Sequence, residues 1–426
     1  MSNIVQKKNK GPLSYTLLYL TILVNVLIPK SGIKLGNIPI TLGNVFFVLT
    51  LIFWFFGKLG GKKIVFDKKI GGVIFLSIIY ALLKYLIIGS FKEHIGYVIP
   101  LVAYPLIYFI IVDLIDSEEK FLKIFNLVTI CIFSISLYAL LQFVVGIDKC
   151  TIPGITVNYS DYIKYGKYWF MTKANGLSVS DTKIVSTYQN GNLFGVNMIL
   201  FFPWVYYGLK VKHKTKLQYI SLVLFLSSVF LSLSRSCWLG LIIFIIFCIL
   251  LDEDSNKADF LKKFFIVLLT MVIIMVIFQV APSVFNRFSD TSASDWVNMS
   301  GRSDGFINTI TSVANSDSVL AWFVGPEGVI DWNGLAYEML PLAIFVQLGI
   351  IGVCILYYCF IKSLYCCRNY IKSDMVKGMY YGLLIWLIVG LIEAGYWLPP
   401  GALNVFIIIG LMSSYRNILQ GEIQRI

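Results

Sequence analysis

Charge is scarce in this chain. Asp, Glu, Lys and Arg make up 14% of its 426 residues, where a soluble globular protein carries about 25%. Histidine is scarcer still: the chain has two, His94 and His213, far apart in sequence. No Cys-x-x-Cys pair occurs among the eight cysteines, so a structural zinc centre has no ligand set. Cys131, Cys248, Cys354 and Cys359 lie inside apolar runs and Cys366 and Cys367 in a basic stretch, so no disulfide framework forms either. Long alternation of apolar and polar residues is missing, which excludes an outer-membrane barrel. No basic, aromatic-interleaved domain stands apart, which excludes a nucleic-acid partner.

What is present is apolar. Hydrophobic residues are 58% of the chain and aromatics 15%, and the mean hydropathy is +0.80. Apolar runs reach the roughly 20 residues that carry a helix across a bilayer. The expected fold class is all-α: a polytopic integral membrane helix bundle in a single membrane domain, 1–426, with about 12 spans of that length. These fall near 13–29, 40–57, 70–89, 95–114, 121–145, 187–209, 217–234, 236–251, 260–281, 337–361, 376–393 and 401–415. The basic N-terminal stretch leads into a run without a small-residue cleavage site, which reads as a retained first helix.

The net charge is +12. With the N-terminus cytoplasmic, most Lys and Arg fall in the short segments on the cytoplasmic side, among them Lys58, Lys62, Lys63, Lys68 and Lys69, the run Lys210 to Lys216, and Arg368, Lys372 and Arg416. That is the positive-inside pattern, and an even span count returns the C-terminus to the cytoplasm. Two long extracytoplasmic loops remain, at 146–186 and 282–336. Loops of this length are usually functional.

In the second loop, Phe306, Ile310 and Val313 recur at helical spacing after Arg302, while Ser303, Asp304, Asn308 and Ser312 take other faces. That pattern predicts an amphipathic helix at the interface, or one that only caps the bundle. Gly325, Pro326 and Gly328 then form a turn carrying Glu327. The first loop holds Tyr159, Tyr162, Tyr165 and Tyr168 before Trp169 and Phe170. Such rings stack on sugars or anchor a protein at headgroup level.

Three stretches carry the chemistry. Asn190-Gly191-Asn192-Leu193-Phe194-Gly195 opens a span after the first loop. Leu231-Ser232-Leu233-Ser234-Arg235-Ser236 makes a tight turn between two spans. The third is Glu338-Met339-Leu340-Pro341, followed by Gly349 and Gly352. Arg235 is the most informative residue. A charge near membrane depth is expensive and marks a functional site by default. An arginine fork matches phosphate oxygens bidentately and stays charged at any working pH, although an arginine can also snorkel to headgroup phosphates. Arg287 and Arg302 are further anion binders. Lys84 and Glu393 lie near helix ends, where snorkelling or an interfacial contact accounts for them as well as function does.

These stretches resemble the O-antigen ligase and Wzy-type polysaccharide polymerase family of bacterial membranes, whose members transfer oligosaccharides from undecaprenyl diphosphate on the outer face of the plasma membrane. Asn190-Gly191-Asn192 is similar to the family's Asn-Pro-Asn start of a mid-chain span, and Ser234-Arg235 to its Ser-Arg hairpin. Arg302, the Gly325–Gly328 turn and Gly349 with Gly352 follow in the family's order. The resemblance covers roughly residues 185–355 and implies the membrane fold of C-type glycosyltransferases. Ligases place His-Asn eleven residues before the first glycine of the closing helix; Glu338 and Met339 stand there, and the loop holds no histidine. That departure favours a polymerase.

The expected function is therefore a metal-independent, cofactor-free polymerase. It would join repeat units carried on undecaprenyl diphosphate, as donor and as acceptor, in the bacterial plasma membrane. A chain-length regulator protein is a partner implied by the resemblance. The expected roles put Arg235 and Arg302 on the diphosphate, with Arg287 weaker, and Glu338 as general base with Glu327 and Asp304 in reserve. Asn190 and Asn192 contact sugar or cap the helix, and Tyr162 and Tyr165 hold the glycan. A ligase of the same family and a flippase or transporter for lipid-linked oligosaccharide are the alternatives. The transporter reading calls for charged or broken helices along a central path, where these spans read as clean.

Overall fold

The computed structural model describes residues 13–35, 38–59, 65, 67–88, 98–166, 183–247, 265, 268, 302–330, 339–393 and 400–421. The architecture is all-α apart from one small hairpin. Helices α1 (Leu13–Leu27), α2 (Leu42–Leu59), α3 (Gly71–Ile88), α4 (Leu106–Leu114) and α5 (Glu118–Val145) come first. After the short α6 (Tyr159–Tyr165) follow α7 (Gly191–Val211), α8 (Thr215–Leu231) and α9 (Arg235–Ile245). Then come α10 (Arg302–Ala314), α11 (Val319–Val324), α12 (Leu340–Cys367), α13 (Asp374–Gly390) and α14 (Gly401–Gln420). Among the described residues, six helices are long and apolar enough to cross a membrane: α2, α3, α5, α7, α12 with its short continuation to Tyr370, and α14. They mark an integral, multi-pass membrane protein. Shorter apolar helices occupy four more of the expected spans, whereas the run at 260–281 lies almost wholly outside the described residues.

Helix α7 is the hub. Of its most apolar window, 94% is buried, and it packs against α5, α8, α9, α13 and α14. A helix apolar all round belongs at the centre. Its tightest neighbour is α13, where Gly378 and Gly382 stand one turn apart. A Cβ on Gly378 would sit 2.6 Å from the Pro203 carbonyl oxygen, and one on Gly382 would strike that of Leu200. Small residues at this spacing let membrane helices approach backbone to backbone. By contrast α2 and α3 leave Phe55, Phe56, Leu86 and Ile87 exposed, the surface a lipid-facing helix presents.

Polar contacts gather at the two ends of the bundle. At one end Lys58 and Trp54 bind Asp113, Arg416 binds Asp67 at 2.5 Å, and Lys212 donates to Asn126. Tyr15 reaches the Lys120 carbonyl there, and Phe121 stacks on Tyr415. The opposite end holds a feature the hydropathy pattern does not show. Strands β1 (Gly32–Leu35) and β2 (Ile38–Thr41) pair antiparallel between α1 and α2. The hairpin receives α6: the Gly32 N–H donates to the Gly154 carbonyl, the Lys34 N–H to Ser160 Oγ, and the Lys34 and Lys30 ammoniums both pair with Asp161.

Helix α12 differs from the sequence expectation of clean spans. It is interrupted at Gly349, with φ 63° and ψ −169°, a conformation open essentially to glycine alone. The carbonyls freed by the break are taken up by neighbours, the condition for irregular backbone at membrane depth. The Glu327 N–H donates to Val346 O at 3.2 Å, Lys84 to Gln347 O, and the Tyr80 hydroxyl to Leu348 O at 2.9 Å. Lys84 also reaches Glu327 O at 3.1 Å. Gly325 lies directly on Gly349, where a Cβ on either residue would meet the other's backbone nitrogen.

Candidate functional site

Two of the motif stretches meet at the hairpin end of the bundle. Asn190 is the N-cap of α7, with extended backbone and its side-chain oxygen accepting from the Leu193 N–H at 2.8 Å. Capping occupies that oxygen, one of the two roles the sequence leaves open for Asn190. Asn192 does not cap. Its Oδ1 accepts from the Lys183 ammonium at 2.6 Å and its Nδ2 donates to Glu393 Oε2 at 2.9 Å. The two partners fix the amide's orientation, because an ammonium only donates and a carboxylate only accepts.

The serine-arginine hairpin closes onto this group. Leu233 at its tip takes a left-handed φ of 50°, Ser232 Oγ donates to Val229 O, and Phe230 stacks on Trp238 at 4.4 Å. Helix α9 then starts at Arg235, with Ser234 as N-cap. The Ser234 and Ser236 hydroxyls lie 2.9 Å apart, and Ser236 Oγ donates to Glu393 Oε2 at 3.1 Å. Cys237 Sγ approaches Asn192 O at 3.6 Å. Gly191 and Gly195 explain the fit: a Cβ on Gly195 would lie 2.6 Å from Cys237 Sγ, and one on Gly191 would run into Ser232 O. The Ile184 N–H donates to Leu231 O, tying the end of the first loop to the hairpin.

The result is a hydrogen-bonded cluster of polar groups at one end of the bundle. The N-termini of α7 and α9 sit side by side, with Lys183 and the half-buried Arg235 beside them. Helix N-termini and basic side chains both favour an anion. One carboxylate, Glu393, 5% exposed, joins the end of α13 to both helix starts. Its distance in sequence from either motif hides it from a reading by local spacing. Lys183 has no local signal either.

The other expected site residues are distributed differently. Glu327 is buried and belongs to the break in α12, beside Lys84. Arg302 is the first residue of α10 and Asp304 stands exposed in its first turn. The amphipathic helix exists, but its inward face is Thr309, Ile310 and Val313, packed with Ala321 and Phe345. Phe306 is turned outward, at 46% exposure, because the helix docks by its C-terminal half. Tyr162 packs on the main core from α6, and Tyr165 ends that helix. Arg287 and Glu338 lie outside the described residues. Among the described residues no three His, Cys, Asp or Glu side chains cluster as metal ligands.

Comparison with models of protein families, with curated proteins and with solved structures finds no match to this chain.

Proposed function

We propose that this protein is a polysaccharide polymerase of the bacterial plasma membrane. It would span the bilayer about twelve times, with both termini cytoplasmic, and join repeat units carried on undecaprenyl diphosphate at the outer face, for O-antigen, capsule or exopolysaccharide. The observation that carries this reading is the meeting of the Asn192 helix start with the Ser234-Arg235 hairpin around Lys183 and Glu393. Motifs matched to the family by order alone thereby share one polar, cation-bearing site.

The chemistry suits such a site. A hydroxyl of the acceptor sugar attacks the anomeric carbon of the donor, and the bond from that carbon to the diphosphate breaks. The leaving diphosphate gathers negative charge, which preorganised donors stabilise. Arg235 and Lys183, at two helix N-termini, are the groups for that task, joined by Arg302 and Arg287 from the second loop. No metal or nucleotide is called for, and a chain-length regulator would act from outside the chain.

A second reading has one observation in its favour. The interrupted α12 and the buried Lys84 are features of transporters, so a flippase for lipid-linked oligosaccharide is the competing function. Purified protein reconstituted with lipid-linked oligosaccharide separates the two. A ladder of glycans with release of undecaprenyl diphosphate establishes polymerisation, a single transfer to an added acceptor indicates a ligase, and movement across the bilayer without covalent change indicates a flippase. Within the polymerase reading, Arg235→Ala at normal membrane abundance loses about 10²- to 10³-fold in rate. Chain growth near the wild-type rate in that variant removes Arg235 from the mechanism.

A further inference from the structure

Cations at the basic end of the bundle are held in two ways. Lys58, Lys123, Lys210, Lys377 and Arg416 each face a carboxylate. Lys362 and Arg368, at the end of α12 and in its short continuation, sit on tyrosine rings instead. The Lys362 ammonium lies 5.9 Å from the Tyr358 ring centre and 5.7 Å from that of Tyr365. The Arg368 guanidinium lies 3.9 Å from the Tyr365 ring centre, and its Nη2 donates to the Tyr365 hydroxyl at 3.2 Å. Among the described residues neither cation makes an ion pair. No Asp or Glu occurs between Glu338 and Asp374, and Asp374 faces Lys210 and Lys377. A ring holds a cation within about 6 Å without cancelling its charge, so both positive charges stay available.

These cations end a continuous stripe. Ile351, Cys354, Tyr358, Ile361, Tyr365 and Arg368 recur every three or four residues and are all exposed, while Leu356, Phe360 and Leu364 are buried on the other side of the helix. At the helical rise the stripe covers roughly 25 Å. It is apolar at first and aromatic and cationic at its end, the order in which a phospholipid presents its acyl chains, its interface and its phosphate. We propose that this end of α12 is a binding site for an anionic phospholipid. The acyl chains lie along Ile351, Cys354 and Ile361, and Arg368 and Lys362 hold the headgroup. The guanidinium is stacked by its face, which leaves in-plane N–H donors for phosphate oxygens. The tyrosines hold both cations in place beforehand, so binding costs less side-chain freedom than at an unsupported lysine or arginine. Basic sites between or beside membrane helices at the cytoplasmic side take anionic headgroups by the same electrostatics.

The test uses the full-length protein in dodecyl maltoside, with dilauroyl phosphatidylglycerol and dilauroyl phosphatidylcholine as probes and native mass spectrometry to follow the first bound lipid. The wild type is expected to bind phosphatidylglycerol about tenfold or more tightly than phosphatidylcholine. The double variant Lys362→Gln, Arg368→Gln is expected to keep its melting temperature without added lipid and to lose about 30-fold in affinity for phosphatidylglycerol. Tyr365→Leu keeps both charges and is expected to bind phosphatidylglycerol more weakly, because the ring no longer holds them. Lys123→Gln removes a cation that α5 pairs with Glu119 and is expected to change nothing. Equal binding of the two lipids by the wild type, or wild-type affinity for phosphatidylglycerol in the double variant, overturns the proposal. So does a wild type that runs as a dimer beside a double variant that runs as a monomer, since the stripe then receives a second copy of the chain. If the double variant fails to fold, Lys362→Gln and Arg368→Gln are measured singly, each with a loss of about fivefold expected; wild-type affinity in both folded single variants overturns the site too.

Discussion

At the scale of single residues, backbone conformation and burial decide more than side-chain identity. Gly349 carries φ 63° and a Cβ there would meet the Phe323 carbonyl. Strain of that backbone class costs about 1–3 kcal/mol before any collision is counted. Gly349→Ala is therefore expected to lower the melting temperature in detergent sharply, while Gly57→Ala, with nothing within 4 Å of the added carbon, leaves it unchanged or slightly raised. Equal melting of the two variants would mean that the break in α12 does not depend on glycine. Lys30 offers a second test. Burial pulls its ammonium down from 10.5 to about 8, with Asp161 opposing the shift and Lys34 adding to it. Between these values the unfolded chain binds more protons, so folding stability rises with pH across that window. The wild type should gain stability relative to Lys30→Met from pH 8 to pH 10 in paired thermal melts; parallel curves would show Lys30 to be charged throughout. Residue chemistry was only half legible in the sequence. Asn190 and Asn192 look alike in the motif, and only the fold separates the cap from the ligand of Glu393. Glu393 itself lies some 200 positions from Asn192, and no local spacing connects them.

At the scale of elements, apolar run length is what made the helices legible, because a bilayer sets the length directly. The hairpin at Gly32–Thr41 escaped because its strands are short and apolar, although Gly36-Asn37 between two alternating runs is a turn signal. The interruption of α12 escaped as well, since its neighbours Leu348 and Ile350 keep the hydropathy high. Contacts between helices left no trace in hydropathy either. Asn25 on α1 donates to Asn404 on α14 at 2.6 Å, Asn404 donates to Asn197 on α7 at 2.6 Å, and Asn197 returns to the Leu193 carbonyl. All three amides are buried. Interhelical bonds of this kind are worth about 0.6–1.7 kcal/mol each in a membrane. Asn404→Leu breaks two and is expected to destabilise by about 1–3 kcal/mol, more than Asn25→Leu, which breaks one. Unfolding in graded denaturant should rank them in that order; the reverse order would show that the ladder does not bind the three helices together.

At the scale of the whole molecule, the two polar ends differ in kind, and that difference predicts orientation. One end holds Lys58, Asp67, Lys120, Lys210, Lys212 and Arg416, paired across helix ends. The other holds the hairpin, α6, the serine-arginine turn and Glu393. Positively charged segments stay on the cytoplasmic side, so the serine-arginine turn and Glu393 are expected outside, where the proposed polymerisation would take place. The native thiols report this without added labels. Cys150 follows α5 at the hairpin end, half-buried, and Cys366 closes α12 at the basic end, also half-buried. A membrane-impermeant maleimide applied to intact spheroplasts should label Cys150, slowly, because burial and Asp148 raise its thiol above the usual range and the thiolate is the reacting form. Cys150→Ser should abolish that labelling, and Cys366 should react only after permeabilisation. Labelling of Cys366 in intact spheroplasts would turn the molecule over. Arg235, Lys183 and Glu393 would then face the cytoplasm, where lipid-linked sugars are assembled rather than polymerised, and the proposed reaction would lose its substrate.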